Sequence, residues 1–115
     1  MDSDLELFSD GYVAFVKEDC PTCLLIEPVL SRFADSGQLN AIFSQDNKDF
    51  PALDITIDDS DLRISFQHGI DTVPSLLKFE DGVEVGRIVG WLKSEWEDFS
   101  GIPDLCSESF QDFSP

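Results

Sequence analysis

Tyr12-Val13-Ala14-Phe15-Val16 runs without a break into Lys17-Glu18-Asp19-Cys20-Pro21-Thr22-Cys23, and this stretch decides the fold. Five consecutive apolar, β-favouring residues mark a strand covered on both faces, since a strand with one wet face would alternate. Beyond Cys23 the period changes: Leu25, Val29 or Leu30, and Phe33 recur at helical spacing until Gly37 ends the run. Pro28 falls inside that helix, where its missing N–H should kink it. Cys20 therefore follows a buried strand by a few residues and opens the next helix. Unpaired amides and the positive end of the helix dipole at such a place favour a thiolate over a thiol. A two-residue separation at a helix start also brings Cys23 near enough to Cys20 for a disulfide to form and break. Pro21 suits the first helical position, where its absent N–H costs nothing.

The remaining segments extend this strand–helix unit into an α/β layer. Leu5–Phe8 is short and apolar, either a strand or a helical turn, and Leu39–Phe43 is a second strand. A polar loop through Pro51 leads to Ala52–Ile57, an edge strand or an extended segment. Asp59 or Ser60 is placed to cap a helix with Leu62 and Phe66 on its buried face. Ser75–Phe79 and Val83–Val89 flank Glu80-Asp81-Gly82, a hairpin signal because glycine supplies the positive φ of such loops. Ser94-Glu95-Trp96-Glu97 reads as a capping box opening a helix that stops near Gly101, with Trp96 and Phe99 as core. The predicted fold is a central mixed sheet with helices on both faces. One domain spans residues 1–102, and residues 103–115 form an acidic tail whose Phe110 and Phe113 can pack back.

The chain has 115 residues, with 7 Lys+Arg against 24 Asp+Glu and a net charge of −17, so one core and one domain are expected. Such acidity with no basic cluster argues against binding nucleic acid through its phosphates or resting on an anionic membrane. The acidic start at Met1-Asp2-Ser3-Asp4 is unlike a secretory signal, and no apolar run is long enough to span a bilayer, so a cytoplasmic location is expected. Three cysteines cannot all pair within one chain, and a Cys-x-x-Cys in a reducing compartment suggests redox or metal chemistry.

From Tyr12–Val16 through Cys20-Pro21-Thr22-Cys23 and Pro28, and again from Gly69-Ile70-Asp71-Thr72-Val73-Pro74-Ser75 through Asp81-Gly82 to Val89-Gly90-Trp91, the chain resembles the thioredoxin family. The resemblance implies a thioredoxin fold and a thiol–disulfide oxidoreductase working on protein disulfides. Cys20 would be the nucleophile and Cys23 the resolving thiol. Val73-Pro74 would hold a cis peptide beside the sulfurs and pair with an extended substrate strand. Pro21, Thr22, Gly90 and Trp91 would line the same groove. It further implies no cofactor and no metal, partners that are disulfide-containing proteins and an external reductase or thiol, and a monomer.

Several residues depart from that pattern. Asp19-Cys20-Pro21-Thr22-Cys23 replaces the usual Trp-Cys-Gly-Pro-Cys, and Ala14 stands where thioredoxins carry a buried Asp that relays protons to the resolving cysteine, so slower resolution is expected. Glu18 and Asp19 push the acidity of Cys20 one way, Lys17 and the helix start the other. Residues Lys48–Asp58 look like an insertion. The rival function is a thioredoxin-fold binding module, or the N-terminal redox domain of a larger protein, with little turnover of its own. Blander assignments fit the outlying groups: His68 as an exposed or capping histidine, Cys106 as a spare thiol, Trp91 divided between groove and core. A zinc site would need Cys106 and His68 to converge on the pair.

Overall fold

The computed structural model describes residues 7–102 and Leu105, and in it the run at Tyr12 becomes the central strand β1 (Gly11–Val16). Two short helices follow, α1 (Pro21–Leu25) and α2 (Glu27–Asp35), then β2 (Leu39–Ser44) and β3 (Thr56–Asp58). Helix α3 (Arg63–Gln67), the hairpin β4 (Ser75–Glu80) and β5 (Val83–Val89), and helix α4 (Lys93–Ser100) complete the order. The sheet runs β3-β2-β1-β4-β5. β1 pairs β2 in parallel and β4 antiparallel, so the sheet is mixed as expected.

Alternation along β1 explains why its sequence shows none. Tyr12, Ala14 and Val16 point to one face, where Val29, Leu30, Phe33 and Trp96 of α2 and α4 close the larger core. Val13 and Phe15 point to the other, against Ala41, Phe43, Leu77, Phe79 and Ile64 of α3. Both faces are dry, and helices sit on each. Leu105 is fully buried in the larger core, and its carbonyl accepts a hydrogen bond from the Arg32 guanidinium. Apart from Leu105, the tail expected at residues 103–115 lies outside the described residues, as do Cys106, Phe110 and Phe113.

Pro28 does more than kink its helix. Having no N–H, it cannot bond the Leu24 carbonyl, and the helix breaks at Ile26 and restarts with Pro28 in its first turn. The break also shifts the buried stripe: Ile26, not Leu25, joins Val29, Leu30 and Phe33, and Leu25 is 43 % exposed. The two-residue turn of the hairpin has positive φ at both Asp81 (53°) and Gly82 (81°), the geometry that matches strand twist.

Two helix readings need correction. The expected buried residues of α3, Leu62 and Phe66, are 47 % and 87 % exposed, and Ile64 and Ser65 are inside. The reason is Asp59, whose buried carboxylate accepts the amides of Ile64 (2.9 Å) and Ser65 (2.8 Å) and the Ser65 hydroxyl (2.6 Å), rotating α3 onto that face. Ser94 does not cap α4. Leu92 is the capping residue, extended at φ −135° with its carbonyl accepting the Trp96 amide, and Ser94 falls inside the first turn with no capping bond.

His68 caps α3 at its C-terminal end, one of the two expectations for it, but it is not exposed. It ends α3 half-buried, stacked 4.6 Å from Phe8 and edge-on to Phe79. Burial holds its pKa below the ordinary value of 6.5, against the pull of Glu84. The unfolded chain then binds the proton more tightly, so stability is complete above about pH 6.5 and declines as pH falls toward the lower folded-state value. Denaturation at pH 7.5 and pH 5.5 should show a larger acid loss in the native chain than in His68→Gln. Replacing Asp59 by Ala should remove about 1–3 kcal/mol at neutral pH in the same measurement, because three buried donors lose their acceptor.

Candidate active site

The C-terminal end of β1 delivers the chain to Cys20 through a loop that is tied down at each step. Val16 ends the strand with its carbonyl accepting the Gln45 amide at 2.9 Å. The amides of Glu18 and Asp19 both donate to the Asp46 carboxylate, at 2.8 and 2.9 Å, and Asn47 Nδ2 reaches Glu18 Oε1 at 3.1 Å. Burial alone would push the Asp46 carboxyl up, but donation by the amides of Asp19, Glu18 and Asn47 and the charge of Lys17 together hold it below the usual carboxylate range. This clasp has no local signal in sequence: the carboxylate comes from the loop after β2.

Cys20 is itself the cap of α1. Its backbone is extended (φ −156°), Pro21 takes the first helical turn, and its Sγ accepts the Cys23 amide at 3.2 Å. A sulfur here does the work that an oxygen side chain usually does at a helix start. Cys20 is partly exposed, Cys23 is fully buried behind it, and the two approach to 2.8 Å with no disulfide between them. Burial pushes the Cys23 thiol far up, reinforced by the neighbouring Cys20 sulfur, while the Lys17 amide and charge pull it back.

The other expected residues gather at the same place. The Val73–Pro74 peptide is cis, and the Val73 carbonyl oxygen lies 4.0 Å from Cys20 Sγ. The Pro74 carbonyl accepts the Gly90 amide at 2.8 Å, which ties the Gly90-Trp91 loop beside the pair. Pro21 is exposed and Thr22 half-buried. Trp91 faces inward: it is 5 % exposed, its ring lies 5.4 Å from that of Trp96, and its indole N–H has no partner among the described residues. Trp96 is satisfied by donating to the Gly90 carbonyl at 2.9 Å. Among the described residues no group of three or more His, Cys, Asp or Glu side chains is gathered to hold a metal, and no helix is long and apolar enough to cross a membrane.

No model of a known protein family matches the chain, and no curated protein matches it by sequence. Solved structures do. A thioredoxin from Malassezia sympodialis superposes with a TM-score of 0.64 at 17% identity, covering 87% of this chain and 82% of its own. A thioredoxin from Nicotiana alata gives 0.60 at 24% identity, covering 85% and 76%. Thioredoxin O2 from Arabidopsis thaliana, in its oxidized state, gives 0.58 at 19%, covering 85% and 81%. The fold is that of the thioredoxins.

Differential burial sets an expectation for reactivity. A brief pulse of iodoacetamide on the reduced native chain should label Cys20 at least about tenfold faster than Cys23, and unfolding should abolish the difference. Peptide mapping by mass spectrometry reads both sites separately from Cys106. Equal labelling in the native state would contradict the buried position of Cys23.

Proposed function

We propose that this chain is a thiol–disulfide oxidoreductase that reduces or exchanges protein disulfides through the Cys20–Cys23 couple. The observation that carries the reading is the sulfur of Cys20, half-exposed at a helix start with an amide aimed at it and a second cysteine close behind. Cys20 is the nucleophile. Its thiolate attacks one sulfur of a substrate disulfide, that bond breaks, and the other substrate sulfur leaves with the electron pair and takes a proton. Cys23, having lost its proton to water, then attacks Cys20. The Cys20–substrate bond breaks, the substrate leaves as a thiol, and the chain retains a Cys20–Cys23 disulfide. An external thiol or reductase returns two electrons and resets the pair.

Substrate positioning falls to the segments beside Cys20. The backbone of Val73, held by Pro74, is placed to pair with an extended peptide carrying the disulfide. Pro21, Thr22 and Gly90 line the approach, and Trp91 supports the loop from beneath. The chemistry needs no cofactor and no metal, and a reducing compartment such as the cytoplasm would keep the dithiol charged with electrons. A monomer suffices, since every assigned group comes from one chain.

The direct test is insulin reduction with dithiothreitol as the recycling thiol. The native chain should accelerate it, and Cys20→Ser should lower the rate to that of dithiothreitol alone. Cys23→Ser should accumulate a mixed disulfide through Cys20, visible by mass spectrometry. Equal rates for the native chain and Cys20→Ser would remove the enzymatic reading and leave a thioredoxin-fold binding module.

A further inference from the structure

Resolution is an intramolecular step, so its rate and its equilibrium both depend on how closely the two sulfurs are held together. Cys23 is fixed by full burial in the larger core. Cys20 is held from two sides. On the helix side, its Sγ accepts the Cys23 amide at 3.2 Å and its carbonyl accepts the Leu24 amide at 3.0 Å. On the strand side, the Asp46 carboxylate accepts the amides of the two preceding residues, Glu18 at 2.8 Å and Asp19 at 2.9 Å. One carboxylate oxygen serves Glu18 and the Asn47 amide (2.7 Å), and the other serves Asp19. Asp46 is itself anchored. The Gln45 amide before it donates to the Val16 carbonyl of β1, and the Ser44 hydroxyl donates to the Asn47 carbonyl behind it at 2.6 Å.

The two holds do not survive the first attack equally. Once Cys20 Sγ is bonded to a substrate sulfur it carries no negative charge, and its hydrogen bond from the Cys23 amide weakens. The Asp46 bonds do not involve the sulfur and persist through the mixed disulfide. We infer that Asp46 is a positioning residue for the second half of the exchange, keeping Cys20 against Cys23 while the substrate is attached. This rests on the redox reading given above. In that step the Cys23 proton goes to water, the new bond is Cys20–Cys23, and the electron pair of the broken bond leaves on the substrate sulfur. The Asp46 carboxylate acts on backbone amides and exchanges no proton. Its role is mechanical, so it can be told apart from the charges nearby: Lys17, Glu18, Asp19, and Lys48 paired with Asp49 at 3.3 Å. Glu18→Gln makes the separation, because it removes a carboxylate and keeps the amide that Asp46 binds.

Dithiodipyridine, a neutral aromatic disulfide, separates the two halves. Attack by Cys20 releases one absorbing thione, and resolution by Cys23 releases a second, both followed by stopped-flow absorbance in a Cys106→Ser background. Asp46→Ala should slow the second release about three- to tenfold and leave the first, measured alone in Cys23→Ser, within about twofold. Its equilibrium constant for oxidation by glutathione should fall by the same factor, which raises the reduction potential by about 15–30 mV. Asp46→Asn keeps one accepting oxygen and should lie between Asp46→Ala and the native chain, and Glu18→Gln should match the native chain. An unchanged second release and equilibrium constant in Asp46→Ala, a loss shared equally by the first release, or an equal loss in Glu18→Gln would each overturn the inference while leaving the redox reading intact. A native chain that releases no first thione through Cys20 would overturn the redox reading and this inference with it.

Discussion

A backbone amide aimed at a sulfur organises this end of the molecule. The Cys23 N–H donates to Cys20 Sγ, so the cap of α1 is the same atom that stands exposed beside the Val73 carbonyl. Replacing that sulfur changes the helix start and the proposed nucleophile together. Such a dual use explains why α1 can be so short: five residues hold their first turn through Cys20 and Pro21, and Pro28 then ends the helix before it needs more. Ile26 anchors the break in the core.

The cysteine pair is only as fixed as the loops around it. Asp46 clasps the approach from β1, the Gly90 amide is bound to the Pro74 carbonyl, and Trp96 locks Gly90 from the other side. The first two of these contacts join segments distant in sequence, so the site is assembled by the sheet and not by its own motif. The order β3-β2-β1-β4-β5 makes this possible by placing the ends of β1, β2 and the start of β4 side by side. Acidity enters the same picture: the loop before Cys20 is held by one carboxylate and carries two more, Glu18 and Asp19, on its exposed side.

Much of this was legible in the sequence because it depends on short-range pattern. The unbroken apolar run at Tyr12 announced a central strand, Asp81-Gly82 a tight hairpin, and Cys20 after that strand a helix beginning at a thiol. What escaped was set by partners far away. Leu62 and Phe66 have a plausible helical stripe, yet Asp59 outbids it by bonding Ile64 and Ser65. Ser94 has the spacing of a cap, but the chain is already helical one residue earlier because Leu92 is extended there. His68 gave no hint of its aromatic surroundings, since Phe8, Phe15 and Phe79 come from three separate segments. Lys17 and Asp46 were visible only as charges; their bearing on Cys23 and on the loop needed the fold.

The claim on which the account rests is that Cys20 and Cys23 form one reversible redox couple. Equilibrating the chain over a series of reduced and oxidized glutathione ratios, followed by acid quenching, thiol blocking and peptide mapping, tests it directly. A single two-electron transition is expected, in which the Cys20–Cys23 peptide loses two hydrogens and regains them on reduction, with Cys106→Ser behaving identically. A pair that stays reduced across the whole series, or a disulfide that forms only through Cys106, would contradict it.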